Sequence, residues 1–216
     1  VKLSNTHEAR DKSLKAFQYL FKTIISYSTN KETKDYFTPA FNLLRDSRKI
    51  FRLGKSLNEL NFILNKIINE LTFKITPSNG LEVLSKLGYY FYWLFDNLVI
   101  LTKVKLLNLD LPKQSKYAMT AWFFGSLLML IKLLLDLNSL LAAKQREDPN
   151  KKDPALDTKI WNCYLNIFGK IGDLFPSGQG SGIALKVLGR PFSETSVGLG
   201  GLVASLVAIR NAWRSA

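Results

Sequence analysis

The sequence predicts an all-α, membrane-associated helical protein, and three observations support this fold class. Apolar residues recur at steps of three and four along most of the 216 residues, as they do on one face of an amphipathic helix. Runs of strand length with alternating polar and apolar residues are absent. Two segments, residues 118–141 and 193–213, are apolar over about the 20 residues that a helix needs to cross a bilayer.

Composition narrows the classes of function. The chain has 30 Lys and Arg against 17 Asp and Glu, a net charge of +13, which favours either nucleic acid or an anionic membrane as partner. Nucleic acid is disfavoured because the aromatic residues lie in apolar runs such as residues 89–95 and no nucleic-acid motif is present. The chain has one Cys and one His, so we predict no disulfide framework, metal site, cofactor or catalytic residues. Cys163 lies in an apolar helical pattern and is expected to be a buried structural thiol.

Residues 1–112 are predicted to form amphipathic helices on the membrane surface. A first helix is expected over residues 8–27 and a second helical pattern over 38–71, with Thr38 as N-cap and Pro39 in the first turn. Gly54 interrupts this second pattern, which leaves either two helices or one bent helix. Residues 76–80 are a break, and a third helical pattern runs from 81 to 109.

Residues 113–216 are predicted to be embedded in the membrane. The first candidate span, 118–141, carries Lys132 and Asp136 at a spacing of four, which lets the two side chains pair on one helical face. The alternative for this segment is the buried core helix of a soluble bundle. We expect a polar loop at 142–158, an amphipathic helix over about 155–175, a flexible glycine-rich linker at 176–182 and the second span at 193–213.

A basic amphipathic helix over residues 41–60 is the most informative segment. Such a helix lies in the lipid headgroup plane, with its apolar side in the acyl boundary and its cations on lipid phosphates. The alternative is an ordinary surface helix of a bundle. The predicted lipid-binding residues are basic on one arc (Arg45, Arg48, Lys49, Arg52 and Lys55) and apolar on the broadly opposite one (Leu44, Ile50, Phe51 and Leu57).

Small residues recur along the second candidate span. This pattern lets membrane helices approach closely, and it predicts self-association through that face. The alternative is a tightly packed helix of a soluble protein. The residues concerned are Gly200, Gly201, Ala204, Ser205 and Ala208.

Four segments, in order along nearly the whole chain, resemble the peroxin-eleven family of peroxisomal membrane proliferation proteins. They are residues 9–12 with Gln18-Tyr19, residues 47–55 (Ser-Arg-Lys-Ile-Phe-Arg-Leu-Gly-Lys), Asp96-Asn97 after an aromatic run, and residues 200–205. Asp96 itself is expected to be a structural carboxylate that faces Asn97 or a nearby Lys, the alternative being a buried acid that keeps its proton.

The resemblance implies a non-enzymatic protein of the peroxisomal membrane. Family members bind phospholipid, self-associate, elongate the membrane before division and help recruit fission factors, including a dynamin-related GTPase. Carried over by position, lipid contact falls on Arg48, Lys49, Arg52 and Lys55. Basic residues beside both spans favour termini that face the cytosol. Two alternatives remain: a small-metabolite channel lined by Lys132 and Asp136, and a soluble helical adaptor that recruits fission factors.

Overall fold

The structure, a computed structural model, describes residues 7–68, 76–147 and 153–214. These residues form helices and no strand, which confirms the predicted fold class. The helices are α1 (His7–Tyr27), α2 (Lys31–Phe51), α3 (Lys55–Lys66), α4 (Pro77–Lys103), α5 (Leu111–Gln145), α6 (Pro154–Ser181), α7 (Ile183–Leu188) and α8 (Glu194–Arg214).

Four helices begin at a polar N-cap whose side chain accepts a backbone hydrogen bond from the first turn, which satisfies one of the free N–H groups there. In α4, α5 and α6 a proline also lies in the first turn, where its missing N–H costs nothing. The N-caps are Asn30 for α2, Thr76 for α4, Asp110 for α5 and Asp153 for α6.

The predicted start of the second helix at Thr38 is wrong. The helix begins at Lys31, capped by Asn30, and Pro39 lies in its interior. The Thr38 hydroxyl donates to the carbonyl of Lys34, 2.6 Å away, instead of capping an N-terminus. Gly54, with φ of 76°, separates α2 from α3, so the two-helix alternative is the correct one.

The predicted glycine-rich linker at 176–182 is also wrong, because residues 176–181 continue α6. Two of the glycines serve close packing. A Cβ on Gly180 would lie 2.6 Å from Cγ of Met119, and one on Gly178 would lie 3.2 Å from Cε2 of Phe192. The helix ends at Gly182, whose φ of 78° few other residues adopt. Of the predicted loop at 142–158, residues 142–145 belong to α5 and the stretch from Pro154 belongs to α6, while residues 148–152 lie outside the described residues.

Neighbouring helices pack antiparallel in a bundle. Helix α4 packs along α5, α5 along α6, α6 along α8, and α8 along α1, which in turn contacts α2. Helices α4 and α5 approach closely where a Cβ on Gly88 would lie 2.7 Å from the Cα of Gly125. Since α1 packs on α8, the predicted surface region 1–112 and the predicted embedded region 113–216 share one interior.

The bundle exposes apolar side chains and buries charged ones. Helices α5 and α8 are both long and apolar enough to cross a membrane. Of the most apolar 18 residues in each helix, only 22% are buried in α5 and 33% in α8. Phe124, Leu134 and Leu206 are each about half exposed. A soluble adaptor would cover these residues in its core, so their exposure argues against that alternative and favours an apolar environment. The interior contains buried Asp, Lys and Arg side chains instead.

Candidate functional site

The centre of the bundle contains a network of buried charges that joins α1 to α2. Arg48 donates through Nε to Oδ1 of Asp11, 3.0 Å away, and through Nη1 to Oε1 of Gln18, 2.5 Å away. Both charged side chains are less than one-tenth exposed. Such a pair holds its helices together, because the loss of either partner would leave a buried charge without compensation.

A second part of the network joins α2 to α4 through Asp96. The Asp96 carboxylate accepts from Nζ of Lys49 and lies 3.0 Å from Nη2 of Arg52. Arg52 also donates through Nη1 to the hydroxyl of Tyr92, 2.9 Å away. Asp96 is 1% exposed, and its pairing with Lys49 confirms the prediction of a structural carboxylate that faces a nearby lysine.

A third part of the network links α1 to α6. Lys15 donates from Nζ to Oδ1 of Asp173 at 2.7 Å, and Nζ of Lys170 lies 3.5 Å from the other oxygen of that carboxylate. Lys170 also donates to the Tyr89 hydroxyl of α4, 2.9 Å away. The charge network, defined by Asp11, Lys15, Gln18, Arg48, Lys49, Arg52, Tyr92, Asp96, Lys170 and Asp173, therefore connects four helices.

The network also shifts the pKa values of its members. Burial alone raises the pKa of Asp11, but Arg48 and Arg52 outweigh it, so the pKa of this carboxyl lies below its usual value. The pKa of Asp173 is lowered in the same way, by Lys15 and Lys170 against the effect of burial. Burial raises the pKa of the Tyr92 hydroxyl to about 12 even though Arg52 opposes the shift. At neutral pH the two aspartates are thus charged and Tyr92 is neutral.

Comparison with protein-family models matches residues 1–213 to peroxisomal biogenesis factor 11 (PEX11). The chain belongs to this family. It is also 26% identical over 243 aligned positions to the peroxisomal membrane protein 11 homolog of Dictyostelium discoideum, and the alignment covers 99% of this chain and 92% of that relative. No solved structure matches. The PEX11 match and the two candidate spans establish a peroxisomal membrane protein.

The four segments that carry the resemblance to PEX11 proteins meet in the structure. Asp11 and Gln18 come from the first segment, Arg48, Lys49 and Arg52 from the second, and Asp96 from the third. The fourth joins them through Gly201, where a Cβ would lie 2.2 Å from the ring of Tyr19. These segments therefore share a structural role in the bundle interior.

The predicted outward orientation of the basic arc is wrong for three of its five residues. The Arg48, Lys49 and Arg52 side chains are at most 7% exposed and bind carboxylates within the chain. The remaining two are partly exposed: Arg45 lies 3.3 Å from Asp46, and Lys55 lies 3.8 Å from Glu8. Buried acids explain the reversal, because Asp11 and Asp96 require cations and α2 is the helix that provides them.

The opposite side of α2 and α3 is apolar and faces outward. Leu43 is 68% exposed and Leu57 66% exposed, and Ile50 and Phe51 are also exposed, while Leu44 is half-buried. This amphipathic segment therefore directs its apolar residues away from the protein and its cations inward. Contact of the apolar residues with lipid stays a prediction.

The predicted self-association face of α8 packs within the chain. A Cβ on Gly200 would lie 2.8 Å from the ring of Phe175 in α6, and Ala204 and Ser205 are buried. Because Gly201 receives the Tyr19 ring of α1, the small residues allow α8 to approach two helices of its own chain. Among the residues that were predicted for this face, Ala208 is only partly buried.

The predicted pair within the first span is present. Lys132 donates from Nζ to Oδ2 of Asp136 at 2.5 Å, and Ser78 of α4 donates to Oδ1 of the same carboxylate at 2.8 Å. Cys163 is buried, as predicted, and its thiol donates to the carbonyl of Leu133, 3.3 Å away.

Sequence reasoning predicted Asp96 as a structural carboxylate but missed the part of the network that lies on α1. Asp11, Lys15 and Gln18 recur at steps of four and three, a polar stripe on one face of α1. Asp96 follows an aromatic run, where a carboxylate needs a cation to be buried. The acids Asp11 and Asp96, taken with the basic residues Arg48, Lys49 and Arg52 at the end of α2, were the available signal for an interior network.

Proposed function

We propose that this peroxisomal membrane protein elongates the membrane by shallow insertion of the apolar face of α2 and α3 into the cytosolic leaflet. The observation that supports this is the outward exposure of Leu43, Ile50, Phe51 and Leu57 on helices whose cations are directed inward. Apolar side chains inserted into one leaflet expand that leaflet, which favours curvature.

The net charge of +13 would attract the protein to anionic phospholipid. As the family resemblance implies, copies then gather, and fission factors including a dynamin-related GTPase act on the elongated membrane. The termini face the cytosol in this proposal. The role is not enzymatic.

Flotation with vesicles tests the proposal. Purified protein is mixed with vesicles of graded anionic lipid content, floated, and imaged by electron microscopy. Changing Ile50→Glu and Leu57→Glu together is expected to abolish tubules, because it places charge in the face that inserts. Gln145→Glu with Thr158→Glu adds the same charge at exposed polar positions and should leave tubules intact. Tubules that persist in the first variant would contradict the proposal.

A small-metabolite channel is the second candidate function, and the pair in α5 favours it. Lys132 and Asp136 are only partly buried, and they are the only charged residues of the candidate span 118–141. Charged groups at such positions commonly line ion or substrate pathways. Single-channel conductance that changes with Lys132→Glu would support this function, and a lack of conductance in reconstituted bilayers would contradict it.

A further inference from the structure

A cavity of about 450 Å³ opens beside the charge network, between α1, α2, α3, α4, α5 and α6. We call it the basic cavity. It is lined by seven basic and four acidic side chains, an excess of three positive charges, together with five aromatic side chains. Its size is within the range of small-molecule binding pockets.

The charge excess lies on groups that already share their counter-ions. Arg48, Lys49 and Arg52 share the two carboxylates of Asp11 and Asp96. Lys15 and Lys170 share the carboxylate of Asp173. Each group has one more cation than it has carboxylates, which leaves one positive charge over in each case. A buried positive charge is costly unless an anion neutralises it.

The rim of the basic cavity, formed by Lys12, Lys55 and Glu8, also has more cations than carboxylates. Lys12 and Lys55 both have their Nζ atoms 3.8 Å from the same oxygen of Glu8, whose side chain is 63% exposed. The two ammonium groups therefore share this one solvated carboxylate as their ion-pair partner. Burial and the charge of Lys55 lower the pKa of Lys12 to about 7, although Asp11 and Glu8 oppose the shift.

A free hydrogen-bond donor lies in the same wall. Trp93 is 8% exposed and lines the basic cavity, and its buried Nε1–H finds no acceptor among the described residues. Nζ of Lys55 lies 4.8 Å from the centre of the Trp93 ring, so the ring also holds that ammonium group in place. Buried donors of this kind usually have a partner.

We propose that the basic cavity binds a phosphate-monoester anion, with Lys12 and Lys55 at its rim, Trp93 in its wall, and Arg48 and Arg52 behind them. A phosphate monoester carries close to two negative charges at neutral pH and offers three acceptor oxygens. A carboxylate would neutralise only one of the three excess charges. Such a group belongs either to a soluble organophosphate or to a lipid with a monoester headgroup, and both present the same chemistry to the cavity.

Isothermal titration calorimetry on the full chain in a neutral detergent tests this proposal. Glycerol 3-phosphate is the soluble probe, and dihexanoyl phosphatidic acid is the lipid probe. Dihexanoyl phosphatidylglycerol, a phosphodiester with one charge, serves as the comparison. Binding of either monoester supports the proposal and identifies the source of the group, whereas binding of neither, or equal binding of the diester, overturns it.

Two double variants test whether the monoester binds at the rim of the basic cavity. Lys12→Gln with Lys55→Gln is expected to weaken monoester binding at least tenfold, because both rim ammonium groups are lost. Lys31→Gln with Lys186→Gln removes the same charge from exposed positions on α2 and α7 and should change the affinity less than twofold. An equal loss in both double variants overturns the proposal.

Glu8→Gln keeps the test decisive even if the lysine variants fold poorly. This change removes the carboxylate that competes with the ligand for Lys12 and Lys55, so the affinity should rise severalfold. Weaker binding in Glu8→Gln overturns the proposal. The inference goes beyond the proposed membrane elongation, and its test involves no membrane deformation, so the two proposals fail independently.

Discussion

Arg48 of α2 donates to Asp11 of α1 across 3.0 Å, and the two residues are 37 positions apart in the chain. The pair fixes the register of α2 on α1, and Arg52, one helical turn further, lies 3.7 Å from the same carboxylate oxygen. A basic helix that would bind lipid phosphate by its cations is thus held by carboxylates of its own chain. The side chains that this segment leaves exposed include the apolar Leu43, Ile50 and Leu57.

Asp96→Asn should destabilise the bundle by about 3–5 kcal/mol, because it leaves Lys49 and Arg52 buried without their shared carboxylate. The free energy of unfolding in mixed detergent measures the effect. Asp35→Asn, at an exposed position of α2, should stay within about 0.5 kcal/mol of the parent protein. Equal stability of the two variants would contradict the structural role of the network.

Gly201→Ala should destabilise the protein by about 1–3 kcal/mol, the usual cost of overpacking. The added Cβ would lie 2.2 Å from Cδ1 of Tyr19, and a ring so close to its own backbone has little room to move. Gly80→Ala is the matched change, since nothing lies within 4 Å of the added carbon. It should be neutral or stabilise α4 by about 0.5–1 kcal/mol. Thermal unfolding of both variants distinguishes a packing constraint from a general effect of glycine replacement.

Binding of glycerol 3-phosphate should weaken as the pH rises through about 7. The pKa of Lys12 is lowered to about 7 by burial and by Lys55 of α3, with Asp11, Lys15 and Glu8 of α1 also facing it, so the ammonium group loses its charge in this range. Calorimetry between pH 6 and pH 9 measures the decline. The Lys12→Arg variant keeps its charge over the whole range, so this variant should show no decline in binding. A decline of the same size in that variant would assign it to another group.

Acid should unfold the protein through its buried carboxylates. The pKa values of Asp11 and Asp173 lie below the ordinary 3.8, so their contribution to stability is present above that pH and is lost as the pH falls through the lowered values. Thermal unfolding by circular dichroism between pH 2 and pH 7 measures this loss. Asp173→Asn should be less stable at neutral pH and less sensitive to acid. A melting temperature that stays constant down to pH 2 would refute the assignment.

The thiol of Cys163 should resist alkylation in the folded protein. The side chain is 6% exposed, and burial, with a smaller contribution from Asp136, raises the pKa of the thiol. Maleimide labelling followed by mass spectrometry should therefore be slow in neutral detergent and fast in denaturing detergent. Rapid labelling of the native protein would show that α6 and α5 separate at this level.

Helical periodicity and apolar length predicted the all-α fold, both candidate spans and the pair Lys132–Asp136, because each depends on residues close in sequence. The orientation of α2 did not follow from its own sequence. One arc was basic and the other apolar, and only the acids at positions 11 and 96 decide which arc faces inward. The helical course of residues 176–181 likewise depends on Met119 and Phe192, which are distant in sequence.

The packing of α1 is complete only when α6 and α8 have been synthesised, and this sets an order in time. Lys15 and Asp173 are 158 residues apart, and the groove that receives Tyr19 is made by Gly201. At the usual rates of synthesis, the ribosome takes on the order of 10 s to cover that distance. Throughout this interval the charges of α1 have no partner from α6, and its Tyr19 has no surface to cover it. A factor that shields the nascent helix, or insertion after release from the ribosome, would protect the chain until its interior can close.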